Sequence, residues 1–341
     1  MSKAAELAAL IGSGQAQGNR NLIINGAMQV AQRGTSSSGL GSNTSANFIA
    51  DRTFTNSNSA GRYTASQNTV TDLPGFANSL KLDCTTADTS IAADEYLLLQ
   101  HRFEGQNLQQ LKKGTSSAES VTLSFYVKGN AAATYTAELY DYDNARTFSQ
   151  RFNVTTSWNR ISLTYAGDTS GALDNDNALS FILMVWLHAG SNYTSGTQNS
   201  GWAAYDATTR VNSSDTSFFD STDRTFEITG IQLEIGDVAT PFEHRSFGDE
   251  LARCQRYFQK ISGAAPRAYT SDGYWGYGIT SPVTMRSTPT TTNPSYTGDY
   301  SLPGTGPSFK ANTVDHVSMQ YNGSAATYWA YSAEVTRDSE L

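Results

Sequence analysis

Between residues 121 and 128 the apolar side chains fall on every second position. Val121, Leu123, Phe125 and Val127 share one parity, and Thr122, Ser124, Tyr126 and Lys128 share the other. Only an extended chain sends successive side chains to opposite faces, so this period specifies a strand with one face in a core. Residues 159–165 repeat it with Ile161, Leu163 and Tyr165. Residues 179–187 are apolar at nearly every position, which predicts a central strand covered on both faces. In Phe226, Ile228, Ile231, Leu233 and Ile235 the parity switches across Gly230. A one-residue slip at a glycine predicts a β-bulge. Polar, glycine-rich stretches such as 191–201 and 208–222 separate these strands. Strands so spaced, with no helical period between them, predict an all-β chain whose residues 21–246 form a jelly-roll β-sandwich.

Two segments break the period. Residues 1–20 read as a short attachment helix and linker: Ser2 caps it, Leu7, Leu10 and Ile11 make one face, and Gly12 and Gly14 stop it. A helix so short is marginal alone in water and needs a docking surface, such as a larger assembly. Residues 247–262 read as a linking helix, with Ser246 and Asp249 as a capping pair and Gly263 as its end. Phe247, Leu251, Cys254, Phe258 and Ile261 are spaced 4, 3, 4, 3, a miniature coiled-coil seam that implies sister helices in a homotrimer. The plainer alternative is a helix packed on the sandwich. Residues 263–341 return to Thr-, Ser-, Tyr- and Pro-rich β composition and predict a smaller C-terminal β-domain.

Composition excludes several function classes. With 38% hydrophobic and 16% charged residues, the chain is neither a leucine-rich bundle nor a charge-expanded disordered chain. A net charge of −8 and the lack of any Lys or Arg run exclude a phosphate-binding footprint, so no nucleic-acid partner is expected. No apolar run approaches the roughly 20 residues that span a bilayer, so no membrane insertion is expected. Glu6 interrupts the N-terminal apolar stretch, which does not read as a signal peptide. Cys84 and Cys254 lie in apolar settings and read as buried free thiols.

Three stretches resemble a known pattern. NLIINGAMQVAQRG at 21–34, followed by FIADR at 48–52, is similar to the opening of bacteriophage tail-fibre and virion structural proteins. So is GIQLEIGDVATPFEHRSFGDELARCQRYFQK at 230–260, with MRSTPT at 285–290 and a DSEL ending as companions. SVTLSFYVKG at 120–129 and TTSWNRISLTY at 155–165 resemble the jelly roll of carbohydrate-binding modules. The resemblance implies a virion structural protein, most simply a trimeric tail-fibre or spike component contributing to recognition of host-surface glycan. It would be assembled in the host cytoplasm and joined to other virion proteins through its N-terminal segment. A capsid-decorating or head-fibre protein and a polysaccharide-degrading tailspike are the alternatives. Leu233, Glu234, Gly236, Pro241 and Phe242 read as fold-determining.

Residues able to carry chemistry are few. Of the four histidines, His101, His188, His244 and His316, none lies in a nucleophile motif, and no catalytic residue is expected. No rung-length repeat of a depolymerase β-helix is visible. Asp141, Asp143, Asp174 and Asp176 offer hard oxygen ligands for Ca²⁺, although turn-forming aspartates explain them equally well, and the clustered Cys and His that zinc needs are absent from the sequence. Sugar C–H faces stack on aromatic rings, and two aromatic groups lie in polar, loop-like sequence: Tyr193, Trp202 and Tyr205, then Tyr274, Trp275 and Tyr277. Either could contact glycan; the alternative is that they plug loop cores.

Overall fold

The computed structural model describes residues 19–42, 44–261, 267–268, 273–297, 308–323, 328–329 and 331–341. The helix expected within 2–11 lies outside the described residues. The chain divides into two compact units, Met1–Ser246 and Phe247–Leu341.

The first unit contains β1 (Ser36–Leu40), β2 (Thr44–Ala50), β3 (Thr53–Asn58), β4 (Arg62–Thr69), β5 (Asn78–Thr86), β6 (Tyr96–Glu104) and β7 (Val121–Gly129). It continues with β8 (Ala133–Asp141), β9 (Arg146–Val154), β10 (Asn159–Tyr165), β11 (Leu179–Ala189), the one-turn α1 (Ser191–Thr194), β12 (Ala203–Ala204) and β13 (Thr225–Ile235). Six strands form one antiparallel sheet in the order β1-β4-β5-β13-β7-β10, and seven form another in the order β12-β9-β8-β11-β6-β3-β2. The two sheets enclose one apolar core and make the jelly-roll sandwich. Val121, Leu123, Phe125 and Val127 on β7 point into it, as the alternation predicts.

Strand β11 lies in the middle of the seven-stranded sheet, between β8 and β6. Phe181, Leu183, Val185 and Leu187 enter the main core, while Ile182, Met184 and Trp186 join Leu98 and Val211 in a second apolar cluster on the outer face. That double burial is the reason residues 179–187 carry no polar face. The predicted bulge is present at Gly230, where the β13–β7 register shifts between Thr229 and Gln232 and φ is +62°. A Cβ there would come within 2.8 Å of the Phe76 ring, so glycine serves both the left-handed backbone and the ring packed over it.

The chain at residues 19–26 and the chain at residues 231–245 clasp each other. The Asn21 side chain donates to Ile231 O at 3.0 Å and accepts from the N–H groups of Ile23 and Leu233 at 2.9 and 3.1 Å. The Glu243 carboxylate accepts from the N–H groups of Asn19 and Asn21 at 2.6 and 2.7 Å. Arg245 donates to Ile23 O at 2.9 Å and to Asn21 O. Glu234, buried on β13, accepts from Thr240 N–H, Thr240 Oγ1 and Gln232 Nε2 at 2.9, 2.6 and 2.8 Å. An added Cβ on Gly26 would stand 2.1 Å from Ile231 O, so the clasp closes only on glycine. These residues build the fold by satisfying polar groups that burial would otherwise leave orphaned.

The second unit holds α2 (Phe247–Gln255), β14 (Phe258–Ile261), β15 (Arg267–Ala268), β16 (Gly273–Thr280), β17 (Thr290–Thr297), β18 (Ser308–Asn312), β19 (His316–Gly323), β20 (Tyr328–Trp329) and β21 (Tyr331–Asp338). Its sheets are β14-β21-β17, β15-β20 and β16-β19-β18. The linking helix is shorter than its spacing predicts. A turn closed by Tyr257 N–H on Cys254 O ends it, and Phe258–Ile261 becomes an edge strand on β21, with Phe258 opposite Asp338 and Ile261 opposite Val335. Phe247, Leu251, Cys254, Phe258 and Ile261 therefore do not share one helix face. Cys254 and Phe258 are buried, and Ile261 packs on Val317 and Val335. Aromatic and β-branched residues suit a strand, and two turns of seam are too little to resist that pairing. Arg286 of the 285–290 segment donates to the carbonyls of Ser339 and Glu340, tying that segment to the chain end. Both cysteines are free and buried. Among the described residues no helix is long and apolar enough to cross a membrane.

His101 on β6 is buried, and its Nε2 accepts from Ile24 N–H at 3.5 Å beside the clasp. Burial holds its pKa well below the ordinary range, and Arg52 and Arg245 press in the same direction. The folded chain thus refuses a proton that the unfolded chain takes up near pH 6.5. The stability so contributed is present above that pH and declines as pH falls below it, by about 1.4 kcal/mol per pH unit for one proton. In urea unfolding from pH 7.5 to 5, His101→Gln should lower the acid-side slope by about one proton. An unchanged slope would remove His101 as its source.

Candidate functional site

Strand β8 carries polar and aromatic residues on its outer parity: Thr134, Thr136, Glu138 and Tyr140 alternate with the core residues Ala133, Tyr135, Ala137 and Leu139. Glu138 is wholly buried, a costly place for a carboxylate. Arg210 compensates it through a forked pair, Nε at 3.0 Å from Oε1 and Nη2 at 2.9 Å from Oε2. Trp186 Nε1 adds a bond to Oε2 at 2.6 Å. Burial opposes the Arg210 charge, but Glu138 more than restores it and raises its pKa.

Arg210 comes from the segment between β11 and β13, which folds back over the outer face. Tyr193 lies on α1 at its start. The Asp206 side chain accepts from Thr208 N–H at 2.9 Å and opens the tight turn Ala207–Thr209 that delivers Arg210. β12 anchors the segment by pairing with β9. The Arg210 guanidinium stands over three rings, Trp186 at 4.7 Å, Tyr205 at 5.2 Å and Tyr140 at 5.6 Å. Around this hub lie two aromatic wings. On one, Tyr140 is 5.6 Å from Tyr205 and 5.9 Å from Tyr142, centre to centre. On the other, Tyr193 is 5.1 Å from Trp186 and 6.0 Å from Tyr96. Trp186 is 2% exposed, Tyr205 42% and Tyr142 52%, so the hub is dry and one wing is open to solvent. Burial pushes the Tyr96, Tyr140 and Tyr193 phenols up, so they stay neutral hydrogen-bonding hydroxyls at ordinary pH. A flat, neutral, hydroxyl-edged surface on a rigid ion pair suits a ligand that presents apolar faces rimmed by hydroxyls.

The aromatic group read from residues 193–205 divides here. Tyr193 and Tyr205 lie on this face. Trp202 turns the other way: it packs on Phe148 and Phe181 at 5.9 and 6.0 Å, donates to Ala166 O at 2.7 Å and leans against the main core. Tyr274, Trp275 and Tyr277 fall in strand β16 rather than a loop, paired with β19, and their side chains lie outside the described residues. Tyr140 and Tyr142 were not anticipated. Their signal was an aromatic at the solvent parity of β8 and another one residue past its end, in a segment that drew attention only for its aspartates.

Those aspartates do not share an ion. Asp143 accepts from Asp174 N–H at 2.9 Å, and Asp176 accepts from Ala178 N–H at 2.8 Å. Asp141 pairs with Lys113, whose Nζ also lies 3.0 Å from Asp168 Oδ2, 2.8 Å from Ser170 O and 2.9 Å from Gly171 O. Asp141, Asp143, Asp174 and Asp176 thus do not fit a Ca²⁺ site: a lysine ammonium already sits among the oxygens of the one buried member. Burial pushes the Asp168 carboxyl up, but Arg146 and Lys113 outweigh it and hold it below the usual range. Lys113→Met would leave the buried Asp141 carboxylate without its cation, while Asp168 keeps Arg146, and should cost about 3–5 kcal/mol in chemical unfolding. A loss below about 1 kcal/mol would place that compensation elsewhere.

No protein-family model matches the chain, and no curated protein matches it. Several solved structures are similar to it. One is TmCBM61 in complex with β-1,4-galactotriose, at 8% identity and a TM-score of 0.33, covering 64% of this chain and 100% of that one. Another is the CBM22-1 xylan-binding domain of Paenibacillus barcinonensis Xyn10C, at 12% identity and 0.28, covering 60% and 94%. A third is the family 11 carbohydrate-binding module of Clostridium thermocellum in complex with a β-1,3-1,4-mixed-linked tetrasaccharide, at 13% identity and 0.29, covering 61% and 99%. Scores this low carry no functional argument for this chain.

Proposed function

We propose that the first unit is a glycan-binding module and that its ligand lies on the outer face of the seven-stranded sheet. The observation that carries this reading is the open aromatic wing of Tyr140, Tyr142 and Tyr205, held rigid from below by the Arg210–Glu138 pair. Exposed tyrosines bring large contact area at low entropic cost, and each stacked ring supplies roughly 1 kcal/mol beyond area burial. On the resemblance of residues 21–34 and 230–260, we further read the chain as a virion structural protein, one subunit of a homotrimeric fibre or spike. Capsid-decorating or head-fibre placement rests on the same segments. Light scattering on the purified chain should give the mass of three chains; a monomer would remove the homotrimer from this reading.

The glycan reading is tested by screening the full chain on a glycan array and titrating the best ligand by calorimetry. Tyr142→Ala and Tyr205→Ala should each weaken binding about tenfold, equivalent to about 1.4 kcal/mol, with little change in melting temperature. Trp202→Ala should do the reverse, costing about 2–4 kcal/mol of stability with far less effect on affinity per folded molecule. Binding that ignores both tyrosine variants would place the ligand elsewhere. Release of reducing sugar from the retained glycan would turn the reading to a polysaccharide-degrading tailspike.

A further inference from the structure

Away from the aromatic face, three ionisable side chains meet where the β5–β6 connection passes the end of β11. Asp88 and Glu95 lie on that connection, and His188 is the penultimate residue of β11. A register shift between Trp186 and His188 places His188 opposite Leu97, and such irregularities re-aim side chains. All three residues are buried, and their ligand atoms lie within 4.8 Å of one another. His188 Nε2 is 3.5 Å from Glu95 Oε2, has no hydrogen-bond partner in the protein, and belongs to a side chain with 0% exposure.

Each member is held from behind. Glu95 accepts from the N–H groups of Ala60 and Ala92 at 2.9 and 3.0 Å. Asp88 accepts from Ser90 N–H at 3.1 Å and from Ser59 Oγ at 3.2 Å. His188 Nδ1 is 2.8 Å from Ser217 Oγ, and its ring packs edge-on against Phe219 at 5.1 Å. With the proton on Nδ1 donated to Ser217, the Nε2 lone pair faces the two carboxylates. Three electron-rich atoms then converge in a buried space. Among the described residues no lysine or arginine stands within 4.0 Å of either carboxylate.

We propose that Asp88, Glu95 and His188 bind a divalent transition-metal ion, Zn²⁺ or Mn²⁺. One imidazole nitrogen with two carboxylates is a borderline donor set, softer than the all-oxygen shell that Ca²⁺ takes. Ligand atoms about 3.3 Å apart surround a tetrahedral Zn²⁺, so the spread of up to 4.8 Å contracts by at most about 1.5 Å to close on it. The bond behind the histidine ring is the kind of second contact that fixes a metal-binding tautomer. The ion would join the β5–β6 connection, β11 and, through Ser217, the segment that carries Tyr205 and Arg210.

The full chain, stripped with EDTA and desalted, is titrated separately with ZnCl₂, MnCl₂ and CaCl₂ by calorimetry and thermal melting. One Zn²⁺ or Mn²⁺ should bind per chain and raise the melting temperature, with EDTA reversing the rise. Glu95→Gln and Asp88→Asn keep side-chain shape and should each weaken binding by more than about tenfold. Ser217→Ala leaves all three ligands in place and should weaken it by about 10–100-fold, which keeps the test alive if an amide variant misfolds. Absence of stoichiometric binding, saturation by Ca²⁺ alone, or unchanged affinity in the folded variants would overturn the proposal.

Discussion

Glu138 has no exposed surface, yet it lies on the outer face of a sheet whose other face already fills the core. A lone carboxylate there would be costly, and its forked bonds to Arg210 remove that cost only if the intervening chain returns across the sheet. Residues 190–211 make that return. Once Arg210 is seated, Tyr205 and Trp186 are fixed against its guanidinium and Val211 closes the outer apolar cluster. One ion pair thus turns a loop into a second layer and a strand face into an aromatic surface.

The same return explains why β11 carries no polar face. A jelly-roll strand ordinarily shows one side to solvent and alternates accordingly. Here Ile182, Met184 and Trp186 are covered by the chain that holds Arg210, so both parities are apolar. The strand and the surface above it are therefore one cooperative unit. An Arg210 variant would leave Glu138 stranded, so lost binding in it could not be told from lost structure. The exposed wing residues Tyr142 and Tyr205 avoid that ambiguity.

The strands were legible because period-two alternation is local. Val121–Gly129, Asn159–Tyr165 and the slip at Gly230 follow from neighbours a few residues apart. The site was far less legible. Glu138 and Arg210 are 72 residues apart, and no local pattern announces their pairing. Trp202 and Tyr205 are three residues apart and look alike in sequence, but β12 turns between them and sends one ring to the core and the other to the surface. In Asp141-Tyr142-Asp143 the carboxylates are the conspicuous groups in sequence, whereas the tyrosine between them is the exposed large hydrophobic side chain. The 4-3-4-3 spacing before Ile261 satisfied a helical seam, but an available edge on β21 took its last four residues as strand. Short apolar spacings are degenerate between the two periods, and tertiary pairing decides.

Two buried acidic groups in this sandwich are balanced in different ways, and the difference bears on what each can do. Asp141 and Asp168 hold between them a lysine ammonium that also meets two backbone carbonyls. With Arg146 also paired to Asp168, two side-chain cations match two carboxylates, and the ammonium already fills the space among four oxygens, so the site has no capacity left for an ion. Asp88 and Glu95 face the His188 ring instead, and no lysine or arginine among the described residues lies within 4.0 Å of either. Their fixed negative charge must be met by bound protons or by a cation from outside the chain. A proton on His188 Nε2 would serve Glu95 alone, 3.5 Å away, whereas a metal ion uses all three groups at once. Burial alone therefore does not separate a structural acid pair from a binding site. The deciding feature is whether the cation that burial demands is covalently part of the protein.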